Sequence, residues 1–241
     1  DDLGDRGLLA TIHQEFGRLR IERGELEDAI PALEQARQHA VAAGQEAEQA
    51  QAWMLLGRVA KQQGAPDRAM AHFADALGVF ERIGDRWGVA SCTNELGEIA
   101  RLKGALEEAE VHYRDALQRM GELGADNAHI VRVNLAIVTL EQGRADSMRP
   151  LVERALRAFE ATGQRAMIGI AHLLLMACSA AERDMTGWDV HLQEGRQLVR
   201  DTHFVEQDIA LIAQSAGDLA DQAGWADRAR GAWHLARGQW R

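Results

Sequence analysis

The sequence predicts an all-α protein, a right-handed α-α superhelix (solenoid) built from six helix-turn-helix repeats. Three observations predict it: glycines that recur with a fixed period, helix-favouring residues between them, and a small–large–small spacing that recurs in register. One glycine series is spaced by 40, 40 and 39 residues, and a second series falls midway between its members. The first series is Gly24, Gly64, Gly104 and Gly143, and the second is Gly4, Gly44, Gly84, Gly124 and Gly163.

Each of these glycines is expected to follow a helix, because Gly adopts the left-handed backbone geometry that ends helices. The segments between them have few β-branched runs and no strand-like alternation. Each period is therefore predicted to hold two antiparallel helices and two turns. We predict one array of six repeats, at residues 5–44, 45–84, 85–124, 125–163, 164–203 and 204–241.

The predicted second helices share a spacing: a residue that is usually Ala, a larger residue four positions on, and an Ala three positions later. Small residues at the paired positions let two helices approach closely. The sets are Ala29, Leu33 and Ala36; Ala69, Phe73 and Ala76; Ala109, Tyr113 and Ala116; Met148, Val152 and Ala155; and Ala229, Trp233 and Ala236. In the fifth repeat these places are assigned to Gly187, His191 and Glu194, and the turn glycines are missing. We therefore predict that this repeat is degenerate.

The second repeat carries the most complete motif. It contains Trp53, Leu56, Gly57, Ala60, Gly64, Ala69, Phe73 and Ala76. This set resembles the tetratricopeptide repeat pattern W-x2-L-G-x2-Y…A-x3-F, with Ala60 in place of the Tyr. The period exceeds the usual 34 residues of that family, so each helix is expected to be longer. This long form resembles the arrays of bacterial signalling proteins and of kinesin light chains.

The resemblance implies a protein- or peptide-binding scaffold, the sensor or docking segment of a larger bacterial signalling or regulatory protein. Asp1 to Leu3 resemble the tail of a preceding helix, so we expect the chain to be a piece of a longer protein. An effector domain of that parent protein is one expected partner. A separate protein or peptide ligand is the other.

Composition and charge argue against several other classes of function. The chain has 27 Lys+Arg against 37 Asp+Glu, a formal net charge of −10. Such a balance disfavours nucleic-acid binding and a polybasic membrane anchor. The longest apolar stretch, Ile170 to Ala181, is too short to span a bilayer. We therefore expect a cytoplasmic protein with neither nucleic acid nor membrane among its partners.

The sequence lacks the motifs that would indicate catalysis. It has no phosphate-binding G-x-x-x-x-G-K-[ST], no H-E-x-x-H and no G-x-S-x-G. Its nine histidines are dispersed, and Cys92 and Cys178 belong to no Cys/His constellation. We predict that the chain is not an enzyme and carries no cofactor or metal.

A binding groove is predicted on the concave face, which the first helix of each repeat lines in such a superhelix. The predicted groove residues are Gln14, Arg18, Met54, Arg58, Lys61, Asn94, Glu98, Arg101, Asn134 and His172. The lining runs from basic and polar, through an apolar stretch at Val133, Ile137 and Met176, to acidic. Such a gradient suits an extended peptide with an acidic end and an apolar middle.

Each groove assignment has an alternative. The arginines could form weak surface salt bridges to Glu15, Glu22 and Glu98. Superhelical curvature could cover the apolar stretch. The Asn94 and Asn134 amides could hold a peptide backbone, or they could be solvated or bridge adjacent repeats.

A second hypothesis is self-association as a homodimer through the terminal repeats. Trp233 and Trp240 lie on one predicted helical stripe at the C-terminal end, with no following repeat to cover them. The alternative for Trp233 is that it packs inward.

Overall fold

The computed structural model describes residues 2–123, 128–202 and 207–239, and these ranges are helical apart from their turns. No β-strand occurs in them. The helices are α1 (Asp2–Glu22), α2 (Leu26–Ala43), α3 (Glu46–Gln62), α4 (Pro66–Ile83), α5 (Arg86–Leu102), α6 (Leu106–Glu122), α7 (His129–Glu141), α8 (Arg149–Thr162), α9 (Arg165–Ala181), α10 (Met185–Thr202), α11 (Gln207–Gln222) and α12 (Ala226–Gln239). A short 3-10 turn, Ala145–Ser147, precedes α8.

The helices form two compact units, Asp1–Gly124 and Ala125–Arg241. In the first, each of α1 to α6 packs against its neighbour along the chain, and α1 and α5 both contact α3. In the second, α7 pairs with α8, α9 with α10 and α11 with α12, while α9 also contacts α8 and α11. The predicted all-α fold of paired helices is confirmed.

In the first, second, third and sixth repeats, a glycine on the first helix packs directly against a large side chain of the second helix. A Cβ added to Gly57 would lie 2.6 Å from the ring of Phe73, and one added to Gly97 would lie 2.9 Å from Tyr113. Gly17 stands in the same relation to Leu33, and Gly217 to Trp233. The missing side chain makes room for the large residue of the second helix, as close packing requires. The Ala residues on either side of the large one are buried as well, for example Ala69 and Ala76 beside Phe73.

Glycines follow the helices as predicted, except at Gly4. Gly4 lies inside α1, which runs on from Asp2, so the prediction of a preceding helix that ends there is wrong. Gly124 lies outside the described residues. Gly24, Gly64, Gly104, Gly143 and Gly224 each have φ between 69° and 83°, in the left-handed region that favours glycine. After α3, the Gly64 amide donates to the Lys61 carbonyl and the Ala65 amide donates to the Ala60 carbonyl. These bonds satisfy carbonyls that the helix end leaves without partners.

The fifth repeat is a regular helix pair whose register differs from the predicted one by a single residue. Trp188, Leu192 and Gly195, not Gly187, His191 and Glu194, occupy the small–large–small places. Trp188 is fully buried, and a Cβ on Gly195 would meet Leu173 at 2.8 Å. Trp188 thus stands where four other repeats hold Ala and the fourth repeat holds Met148. This larger residue at a place that is usually small hid the register in the sequence.

Arg183 takes the place of the turn glycine in this repeat. Its φ of 58° is the one left-handed value at a non-glycine residue within the described ranges. The Arg183 amide donates to the Ala180 carbonyl, and the Asp184 amide donates to the Ser179 carbonyl. This pattern repeats the one at Gly64, so the turn forms although a side chain strains it.

We expect Arg183→Gly to raise the free energy of unfolding by about 1 kcal/mol, because glycine adopts this backbone without steric strain. Urea unfolding followed by circular dichroism measures the change. Arg196→Gly, at an exposed position inside α10, is the matched control and should lower it by about 1 kcal/mol. Destabilisation by both variants would contradict strain at Arg183.

Candidate functional site

A cleft of about 310 Å³ opens in the first unit, where α1, α3 and α5 lie side by side. Four predicted groove residues, Gln14, Arg18, Met54 and Arg58, line it together. The remaining lining residues are Glu15, Gln51, Leu55, Phe80, Asp85, Trp87, Gly88 and Ser91. The 40-residue register thus brings predicted groove side chains from two repeats around one space.

The cleft combines an apolar surface with amide groups. Met54 is half-buried, and the Trp87 ring is 42% exposed. The Gln14 side-chain amide spans from α1 to α3, because its Nε2 donates to Gln51 Oε1 at 2.9 Å. Gln14 Oε1 is buried and has no hydrogen-bond partner among the described residues. An N–H donor entering the cleft would satisfy this acceptor, since a buried polar atom without a partner carries a free-energy penalty.

Arg18 lies at the edge of the cleft on α1. Its guanidinium pairs with Glu15 and Glu22, at 2.7 Å each. All three side chains are at least half exposed, so the pairs contribute little to stability. The predicted salt bridges to Glu15 and Glu22 therefore form, but a ligand carboxylate could displace them at small cost.

A buried ion-pair network lies beside the cleft, centred on Glu95 of α5. Glu95 is 6% exposed. Its carboxylate accepts from Arg58 Nε at 2.8 Å and from Lys61 Nζ at 2.7 Å, and Lys61 also contacts Glu98 at 2.7 Å. Lys61 therefore neutralises the buried Glu95 and the half-buried Glu98 between α3 and α5, away from the cleft lining.

The network perturbs the protonation of its members. Burial opposes the charge of Glu95, but Lys61 and Arg58 outweigh it and hold the pKa of the carboxyl below its ordinary value. Burial also opposes the charge of Lys61, but Glu95 and Glu98 raise its pKa. Both groups are therefore charged at neutral pH. Sequence reasoning missed Glu95, which is the residue after the predicted Asn94.

The other predicted groove residues do not line this cleft. Asn94 and Arg101 are half-buried on α5, and Asn134 is half-buried on α7 in the second unit. Their predicted roles in binding stay predictions.

The prediction that an apolar stretch lines the groove surface is wrong. Val133, Ile137 and Met176 are buried in the hydrophobic core of the second unit. They are covered because α7, α9 and α11 contact one another there. The stretch is covered, as in the alternative, but the cover comes from these helix contacts and superhelical curvature is not needed to explain it.

His172 packs between the two helices of the fifth repeat. Its Nδ1 lies 3.1 Å from Nδ1 of His191, close enough for one ring to donate a hydrogen bond to the other. Burial lowers the pKa of both imidazoles, which favours the neutral form that the accepting ring of such a bond requires. The pair occupies the same register as Trp53 and His72, whose rings stack at 5.2 Å. In the described residues no group of three or more His, Cys, Asp or Glu is arranged to hold a metal ion.

Trp233 is half-buried between α11 and α12, and its Nε1 donates to Asp218 at 2.9 Å. Its packing against Gly217 matches the inward alternative. Trp240 lies outside the described residues. No helix within the described ranges is long and apolar enough to cross a membrane.

Comparison with known proteins agrees with this geometry. Residues 48–122 match the tetratricopeptide repeat family. This segment carries tetratricopeptide repeats. The match covers the second and third repeats, whose glycine–aromatic pairs are the most regular. No curated protein matches the sequence.

Solved structures of low sequence identity share the fold of these repeats. The apo form of RapI superposes with a TM-score of 0.76 at 8% identity, over 97% of this chain and 83% of RapI. PilF of Pseudomonas aeruginosa superposes with a TM-score of 0.67 at 18% identity, over 95% of this chain and 90% of PilF. The Rap conjugation gene regulator of plasmid pLS20, in complex with the Phr* peptide, superposes with a TM-score of 0.73 at 18% identity. The superposition covers 97% of this chain and 62% of the regulator.

Proposed function

We propose that the chain is a non-catalytic repeat scaffold that binds an extended peptide in the cleft between α1, α3 and α5. The observation that carries the proposal is the unpartnered, buried Gln14 Oε1 beside the apolar surface of Met54 and Trp87. The Rap regulator that shares the fold is in complex with a peptide, which supports the proposal by analogy.

In this proposal the peptide backbone donates an N–H to Gln14 Oε1, and an apolar side chain packs on Met54 and Trp87. Backbone contacts of this kind give affinity without strict sequence requirements. An acidic side chain pairs with Arg18 and Arg58. Arg58 can turn toward the ligand because Lys61 continues to neutralise Glu95.

The scaffold would act as the sensor or docking segment of a bacterial signalling or regulatory protein. Its ligand would then be a free peptide, an exposed segment of another protein or an effector domain of the same protein. A shallow cleft formed by helices that touch across repeats suits reversible binding of a short segment.

Panning of a displayed library of random 12-residue peptides tests the proposal. We expect the wild type to enrich peptides that combine acidic and apolar residues. Arg18→Glu/Arg58→Gln should bind the enriched peptides at least about tenfold more weakly, because each lost charge-assisted contact contributes about 1 kcal/mol or more. Fluorescence anisotropy with labelled peptides measures the change.

Arg114→Glu is the matched control, since Arg114 is an exposed arginine in an i,i+4 pair with Glu110, outside the cleft. It should bind the peptides as the wild type does. Equal binding by the cleft variant, or no enrichment by the wild type, would overturn the proposed function.

A further inference from the structure

The outer face of α1 carries an exposed apolar stripe, and the Arg20 guanidinium lies over its Phe16 ring at 4.7 Å from the ring centre. Leu9, Ile12, Phe16 and Leu19 are between 39% and 52% exposed. With 3.6 residues per turn, they lie within an arc of about 80° around the helix. Gln14 and Arg18, which line the peptide cleft, lie on the opposite side of α1. The stripe is therefore a separate surface.

In the next two repeats the corresponding face is an interface. Phe16 and Leu19 correspond, 40 residues on, to Leu56 and Val59, which are buried against α2. Forty residues further the corresponding Ile99 is buried against α4. Residues of this type at these positions are packing residues, and a contiguous exposed patch of them indicates a binding partner.

A hollow adjoins the stripe. Its volume is about 400 Å³, and its lining is mostly apolar and comes from α1 and α2. Ile12 and Phe16 form one wall, and Pro31 and Ala32 contribute to the other. A large side chain from a partner helix that crosses the stripe would enter this hollow.

Two copies of the stripe are complementary when their α1 helices pair antiparallel, with the centre of the pairing at the level of Gln14 along the helix. Asp5 lies at its N-terminal end and Arg23 at its C-terminal end, and both residues are exposed. In an antiparallel pair of α1 helices centred there, Asp5 of each copy faces Arg23 of the other. Leu9 then faces Leu19, and Ile12 faces Phe16. Two-fold symmetric pairing closes at the dimer.

We infer that the partner of this stripe is a second copy of the chain, docked with its α1 antiparallel. Phe16 of each copy packs on Ile12 of the other, at the rim of the hollow. The opposite charges at the two ends fix the direction, and parallel pairing would place like charges together. A head-to-tail contact with α12 fits poorly, because α12 exposes Arg230, His234 and Arg237.

Sedimentation equilibrium of the full 241-residue chain tests this inference. We expect twice the chain mass at tens of micromolar, in the affinity range of a small helix–helix interface. Phe16→Glu should give a monomer with unchanged circular dichroism, since Phe16 is half exposed. Val111→Glu, on the exposed surface of α6, should remain dimeric.

Exchanging the charges of Asp5 and Arg23 tests whether the partner of the stripe is a second copy of the chain. Asp5→Arg and Arg23→Asp should each raise the dimer dissociation constant about tenfold or more. The double variant Asp5→Arg/Arg23→Asp should restore it, because the exchanged charges again face their opposites. If the wild type remains monomeric at about 100 µM, the inference is overturned. A dimer that survives Phe16→Glu would also overturn it and would move the interface to another surface, such as the Trp233 end.

Discussion

Trp188→Ala is expected to lower the free energy of unfolding by about 3–5 kcal/mol, the range for removing a fully buried aromatic side chain. The substitution installs the Ala that four other repeats hold at this place, so repeat consensus alone would predict stabilisation. Trp188 is fully buried in the core of the second unit, and its ring meets Trp225 edge-on at 6.2 Å. Removing it leaves a cavity that the surrounding helices cannot close fully.

Urea unfolding of the full chain measures this loss. Trp188→Phe keeps an aromatic ring and removes an indole N–H that has no partner among the described residues, so it should lose much less. Val190→Ala, at an exposed position two residues on, should change stability by about 0.5 kcal/mol or less. Stabilisation by Trp188→Ala would contradict the register of the fifth repeat.

Glu95→Gln is expected to lower the free energy of unfolding by about 3 kcal/mol, because it leaves Arg58 and Lys61 without the buried carboxylate between them. Glu98 still partners Lys61, which limits the loss. Glu22→Gln is the matched control. It removes a carboxylate from the exposed Arg18 pair and should cost about 1 kcal/mol or less.

The effect of Glu95→Gln should also depend on pH. Since the folded protein holds the pKa of Glu95 below its ordinary value, the carboxylate contributes stability above the unfolded pKa of about 4.3. That contribution is lost as the pH falls through the folded pKa. The difference between wild type and variant should therefore be full at pH 7 and shrink below about pH 4. A difference that stays constant from pH 7 to pH 3 would contradict the buried ion pair.

The sequence predicted the parts of the fold that depend on local spacing. Glycine after a helix end and the small–large–small spacing within a second helix are both requirements that recur in every regular repeat, so their period is visible in the residues. The fifth repeat escaped this reasoning because Trp188 and Arg183 are large residues at places that usually require small ones. Because the predicted register of this repeat was off by one residue, His172 was assigned to the groove, whereas it packs between the two helices of the repeat.

The candidate site was predictable only in part. Gln14, Arg18, Met54 and Arg58 follow from helical periodicity, and the structure brings them together. The burial of Glu95 depends on cations of the neighbouring α3, and the burial of Val133 depends on how closely α9 and α11 approach α7. Contacts between helices that are far apart in the sequence decide both cases, and no periodicity within one helix records them.

Methyl NMR of the methionine-labelled protein locates bound peptide directly, because the seven methionines are spread over both units. Met54 lies in the cleft, whereas Met70 on α4 and Met185 on α10 are exposed elsewhere. Titration with a panned peptide should shift the Met54 signal and leave those of Met70 and Met185 unchanged. A shift of Met70 or Met185 without one of Met54 would contradict peptide binding between α1, α3 and α5.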